Sequence, residues 1–163
     1  MGQSHSLSVQ IEIEAPPETV RSVVLDFQRY KEFHQVFTIQ CLDPEMQPED
    51  LQAGDKLDVD IKGYSFKFRF QPTLVENSPS TFQWYGSAPF LFSGKHQFFF
   101  SPSQETPGGT TLIQREEFNG LLAHQIEPSW AFGKQTRDNF QTFNQDVKAE
   151  AERVAGVVIP STS

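Results

Sequence analysis

The longest periodic stretch of the sequence lies toward its C-terminal end and constrains everything that can be built around it. From Trp130 to Val154, the residues Phe132, Thr136, Phe140, Phe143, Val147, Ala151 and Val154 recur at spacings of four, four, three, four, four and three. That spacing puts them on one face of an α-helix. Ser129 stands where an N-cap is expected. Gly133 weakens the first turn by up to about 1 kcal/mol relative to alanine. The other strongly patterned segments are short, and most of them alternate, which is the period of a half-buried strand. An antiparallel sheet with one apolar face needs a cover, and this helix is the only element long enough to supply it.

The alternating segments come in order. Leu7, Val9, Ile11 and Ile13 interleave with polar residues as a first strand. Ala15-Pro16-Pro17-Glu18 ends it and opens a helix, with proline early and an acid in the first turn. Val20, Val23, Val24 and Phe27 form its apolar stripe, and a second short helix is expected over Gln28 to Phe33. Strands are predicted over Val36 to Leu42, with Phe37, Ile39 and Cys41 on one side, and over Lys56 to Ile61. Phe66, Phe68 and Phe70 alternate with Lys67, Arg69 and Gln71 in a strand expected to run on through Leu74 and Val75. Thr81 to Gly86 places Phe82, Trp84 and Gly86 on one face, and Thr110 to Phe118 reads as the last strand. The expectation is one α+β domain over residues 6–155, with flexible termini at 1–5 and 156–163. It comprises a curved antiparallel sheet of about six to seven strands, two short helices after the first strand, and the long helix against the sheet.

The segment Phe92 to Phe100 carries the sharpest chemical signal. Its even positions, Phe92, Gly94, His96, Phe98 and Phe100, form an apolar face interrupted by one histidine. A buried polar group needs a partner. If the following turn keeps even positions facing even ones, His96 lies opposite Gln114, with Glu116 a diagonal neighbour and Phe82 and Trp84 beside them. A slip of one residue brings Arg115 and Glu117 inward instead. The first register keeps Leu112 and Phe118 inside. Three roles stay open for His96: a satisfied core histidine, a group that orients a ligand, or an acid or base oriented by Glu116.

Composition excludes several function classes. The chain of 163 residues has a formal net charge of −8, which argues against a nucleic-acid surface and against docking on an anionic leaflet. The 16 phenylalanines suggest bulky, flat walls. Cys41 is the only cysteine, so no internal disulfide and no all-cysteine metal site can form. His5, His34, His96 and His124 are scattered without ligand spacing, and neither a phosphate loop nor a nucleophile elbow is present. No metal or other cofactor is therefore expected. No apolar run is long enough to span a bilayer, and the N-terminal residues lack the pattern of a secretory signal, so a cytoplasmic location is expected. Met1-Gly2-Gln3-Ser4-His5-Ser6 matches the short N-myristoylation pattern. One acyl chain anchors only marginally, and no polybasic segment follows.

Taken together, these motifs resemble the START-like helix-grip superfamily, also called SRPBCC, and within it the polyketide cyclase/dehydrase-like branch. The carrying residues are Ala15-Pro16-Pro17-Glu18, Trp84 with Gly86, Pro89, Gly94-Lys95-His96-Gln97-Phe98 and Glu116-Glu117-Phe118-Asn119-Gly120-Leu121, then the helix with Phe140, Asn144 and Lys148. The resemblance implies a deep pocket for a small hydrophobic partner such as a lipid, sterol or polyketide. Its expected wall is Phe66, Phe68, Phe70, Phe82, Trp84, Phe90, His96, Phe98, Gln114, Glu116, Phe118, Phe132, Phe140 and Phe143. The loops Ser87 to Leu91 and Asn119 to Pro128 are expected to flank its mouth. Three readings follow: a binder or carrier, a metal-independent cyclase, aromatase or dehydratase using His96 and Glu116, or a protein-interaction module with a filled core.

Overall fold

Alternation along the strands and the aromatic stripe of the last helix meet in one core. A computed structural model describes residues 4–88, 92–127 and 129–157. Strand β1 (Ser4–Ile13) is followed by helix α1 (Pro17–Leu25), a 3-10 turn at Phe27–Arg29 and the single-turn helix α2 (Tyr30–Phe33). Strands β2 (Phe37–Cys41), β3 (Leu57–Ile61), β4 (Phe68–Phe70), β5 (Thr73–Asn77), β6 (Thr81–Ala88), β7 (Phe92–Pro102) and β8 (Thr110–Asn119) come next. A 3-10 turn at Ala123–Ile126 leads to helix α3 (Ala131–Val154). This is the expected α+β helix-grip architecture, with eight strands among the described residues.

The strands form two antiparallel sheets, ordered β1-β8-β7-β6-β5 and β2-β3-β4. Their seam lies where the chain enters β3 and β5. Lys56 bridges Thr73, Gly54 N donates to Leu74 O at 2.9 Å, and Leu57 N donates to Pro72 O at 3.0 Å. The combined surface curves around α3, which rests against β1 and α1. From the helix, Thr136, Phe140, Phe143, Val147 and Ala151 are buried, facing Phe82, Phe98, Phe100 and Leu112 in the common core. Val154, the last residue of the predicted stripe, is exposed.

Four expectations are corrected. The first strand begins at Ser4, because Ser4 to Ser6 continue the ladder with Asn119 to Glu117. The predicted run from Phe66 to Val75 is broken at Pro72, which has no N–H for a ladder, so β4 pairs with β3 and β5 pairs with β6. The N-cap of α3 is Trp130 in an extended conformation, with no side-chain cap, rather than Ser129. The register of β7 on β8 keeps the expected parity but is displaced by two residues: His96 faces Glu116, and Phe98 faces Gln114. The cause is the wide loop between Pro102 and Thr110. Within it, the Ser103 hydroxyl accepts from the backbone N–H groups of Glu105 and Thr106, and Ser103 N donates to Gly109 O. Arg115 and Glu117 lie on the outer face and pair at 3.1 Å.

Gly133, which costs the helix propensity, has a packing reason. A Cβ there strikes the carbonyl oxygens of Ile126 and Glu127, so only glycine lets the preceding turn close on the helix. That turn carries Leu122, Gln125 and Ile126 to one end of the core, where the sheet and the helix part.

Candidate functional site

Between the sheet and α3 lies a cavity of about 470 Å³. Its sheet side is built by the inward positions of three neighbouring strands: Trp84 and Gly86 on β6, Gly94 and His96 on β7, Glu116 and Phe118 on β8. Phe68 and Phe70 come from β4, and Phe132, Thr136 and Phe140 from α3. Phe66, Lys67 and Arg69 stand at the solvent-exposed mouth, and Phe66 is 53% exposed.

His96 is held on every side. Its Nδ1 bonds to Glu116 Oε2, directly across the ladder. Gln114 Nε2 donates to its Nε2 at 3.0 Å, so Nε2 is the acceptor and the ring proton sits on Nδ1, toward the carboxylate. The Trp84 indole stacks on the imidazole with centroids 4.7 Å apart and planes within 9°, while Phe140 meets it edge-on at 4.9 Å. Both ring nitrogens are therefore engaged within the protein. Glu116 is different. Oε2 takes the His96 bond, and Oε1 lies beside Gly94, where an added Cβ falls well inside contact distance of the oxygen. The missing side chain of Gly94 is the space that the carboxylate occupies.

A second polar point sits on the helix side. Thr136 Oγ1 donates to Phe132 O at 2.8 Å, so the Tyr64 hydroxyl, 2.8 Å from it, donates to Thr136. Burial pushes the Tyr64 phenol up to about 12; the hydrogen bonds of Thr136 and Asn139 oppose this, and the charge of Glu116 adds to it. Tyr64 is thus a neutral phenol, stacked between Phe66 and Phe132.

Nine of the expected wall residues line this cavity: Phe66, Phe68, Phe70, Trp84, His96, Glu116, Phe118, Phe132 and Phe140. Phe82, Phe98 and Phe143 do not; they face inward as expected but lie deeper, fully buried in the core. Gln114 is also sealed, behind His96, and acts on the site only through it. Phe90 and Leu91 lie outside the described residues, as does Gly2 of the acylation pattern. In the loop from Asn119 to Pro128 expected at the mouth, Leu122 lines the cavity and Leu121 points to solvent. Tyr64, Gly86, Gly94 and Thr136 were not expected as wall residues. The signal for Tyr64 was present, since it extends the even-numbered alternation of Phe66, Phe68 and Phe70 back by one step.

No helix among the described residues is long and apolar enough to cross a membrane. No group of three or more His, Cys, Asp or Glu residues among them is arranged to hold a metal ion.

Residues 4–155 match the family model described as polyketide cyclase / dehydrase and lipid transport. The chain belongs to this family. Solved structures agree at the level of the fold. A START superfamily protein from Mycobacterium smegmatis superposes with a TM-score of 0.68 at 15% identity, covering 92% of this chain and 99% of that one. The Zhui aromatase/cyclase from Streptomyces sp. R1128 gives 0.67 at 13% identity, covering 96% and 100%. The protein TTHA0849 from Thermus thermophilus gives 0.70 at 11% identity, covering 93% and 99%. Comparison with curated protein sequences gave no match. This member of the polyketide cyclase / dehydrase and lipid transport family therefore has the START-type fold, with a cavity between sheet and helix.

Proposed function

We propose that the protein binds and carries a small hydrophobic molecule in the cavity between the sheet and α3. The observation that carries this reading is the cavity itself: about 470 Å³, walled by Phe66, Phe68, Phe70, Trp84, Phe118, Phe132 and Phe140, with few polar groups. Cavities of a few hundred Å³ with apolar walls and a few placed polar atoms are the usual form of a small-molecule site. The volume speaks against the filled core of an interaction module. The family description, which includes lipid transport, supports the same reading. Native mass spectrometry and solvent extraction of the purified protein test it. The expected result is a co-purifying apolar molecule, or uptake of a hydrophobic probe in a one-to-one ratio. A protein that is empty and takes up no such probe overturns it.

A second reading is favoured by one observation, the Glu116 carboxylate with His96 behind it in an apolar wall. It is acid–base chemistry of the cyclase or dehydratase kind, as in the family description. Both imidazole nitrogens are engaged, so Glu116 is the group that would touch substrate and His96 the one that orients it. This exchanges the roles expected from sequence. Among the described residues Gln114 Oε1 has no partner, and turning that amide over would let it accept from a protonated ring. Glu116→Gln should then abolish turnover of a polyketide-like substrate while binding persists; unchanged turnover excludes the role.

A further inference from the structure

We propose that the cavity selects an apolar molecule bearing a hydrogen-bond donor, a hydroxyl or a protonated amine, and that Glu116 Oε1 is its acceptor. His96 is the positioning residue behind that acceptor. The proposal rests on the cavity-binding reading above and narrows the class of molecule it admits.

Glu116 is only 9% exposed, and its Oε2 is occupied by His96 Nδ1. Among the described residues, no hydrogen bond is made to Oε1, yet this atom is not sealed in the protein interior. It stands in the open place left by Gly94, on the cavity wall. A buried carboxylate is stable only when its lone pairs are met. A donor on the ligand completes the set, and a hydrogen bond to a charged group is stronger than one between neutral groups. A ketone or a carboxylate on the ligand would instead set acceptor against acceptor.

The positive charges around the cavity reinforce the distinction. Lys67 and Arg69 stand at the exposed mouth, and Arg69 is already paired with Asp58. An acidic head group thus meets cations only at the rim, away from Glu116. Gly86 and Gly94 face each other across β6 and β7, next to the stacked rings of Trp84 and His96; the Phe70 ring stands over the first and the Glu116 carboxylate over the second. A planar ring system can lie against the aromatic walls of the cavity, among them Phe118, Phe132 and Phe140, with its donor turned to Oε1.

Isothermal titration calorimetry with four matched probes tests the proposal: methylnaphthalene, naphthol, naphthylmethylamine and naphthoate. Naphthol, naphthylmethylamine or both should bind about tenfold tighter than methylnaphthalene, the size of a net charged hydrogen bond. The tighter of the two identifies the donor. Naphthoate should bind no better than methylnaphthalene. In Glu116→Gln the donor probes should lose about tenfold, with methylnaphthalene within about twofold of wild type. Equal binding of all four probes to wild type overturns the donor selection while leaving the cavity reading intact. A donor preference that survives Glu116→Gln overturns the assignment of the acceptor. No binding of any probe, methylnaphthalene included, removes the cavity reading and this proposal together. The wild-type series decides the selection even if the variant does not fold.

Discussion

Gly94 and Glu116 share one space: the carboxylate of one stands where a side chain of the other would be. Gly94→Ala therefore cannot keep the carboxylate in place. The expected outcome is a displaced Glu116, a broken bond to His96 and a stability loss of about 1–3 kcal/mol by urea unfolding, the range for overpacking. Gly86→Ala is the control on the facing strand. Its Cβ would come 3.1 Å from the Phe70 ring, which stands at the cavity and can shift, so a smaller loss is expected. Equal losses for the two variants would argue that the carboxylate is not held where Gly94 admits it.

The inward phenylalanines divide into core and wall, and truncation separates them. Phe143 is fully buried beside Phe98, Tyr30 and His34. Phe143→Ala should cost about 3–5 kcal/mol. Phe66 is half-exposed at the mouth, and Phe66→Ala should stay within about 1 kcal/mol of wild type. The order reverses for binding. Phe66→Ala should weaken uptake of a hydrophobic probe in calorimetry at unchanged stability.

Acid should destabilise the protein through His34. Its Nε2 accepts from the backbone N–H of Phe37 at 2.8 Å and of Val36 at 3.2 Å, so protonation would break both contacts. Burial holds its pKa below the ordinary histidine value, although Asp146 at Nδ1, 2.7 Å away, opposes this. The unfolded chain thus takes up the proton first. The stabilising contribution is complete above about pH 6.5 and declines as pH falls below that value. Urea midpoints measured between about pH 7 and pH 5 should fall in the wild type. The slope should be shallower in His34→Gln, and an identical slope in both would exclude His34 as the source.

Alkali should act through tyrosine with the opposite sign. Tyr64, pushed up to about 12, and the fully buried Tyr30, also raised by burial, keep their protons longer than the unfolded chain does. Their contribution is complete below about pH 10 and is lost as pH rises from there. Tyr64→Phe should reduce the steepness of that loss in unfolding measurements between about pH 9 and pH 11.5.

Parity was legible in the residues, and depth was not. The alternation of Phe92 to Phe100 and of Thr110 to Phe118 assigned His96, Gln114 and Glu116 to one face, because a strand permits only two. Which of them faces which depended on how many residues the 103–109 loop absorbs. That is decided by hydrogen bonds of Ser103 that leave no periodic trace. Likewise Phe82, Phe98 and Phe143 share the period of Trp84 and Phe140. Whether a ring ends in the core or on the cavity depends on where sheet and helix diverge, which no single segment records. Pro72 was the clearest missed cue, since a proline inside a predicted strand marks an edge or an end.

The stacking of Trp84 on His96 gives the protein a built-in optical reporter. There are two tryptophans, and they occupy opposite settings: Trp84 is 4% exposed inside the cavity wall, and Trp130 is 50% exposed beside His124. Blue-shifted emission is expected from the first and red-shifted emission from the second. An occupant of the cavity should change the light from Trp84 and leave that from Trp130 as an internal reference. The state of the site can therefore be followed in the unlabelled chain.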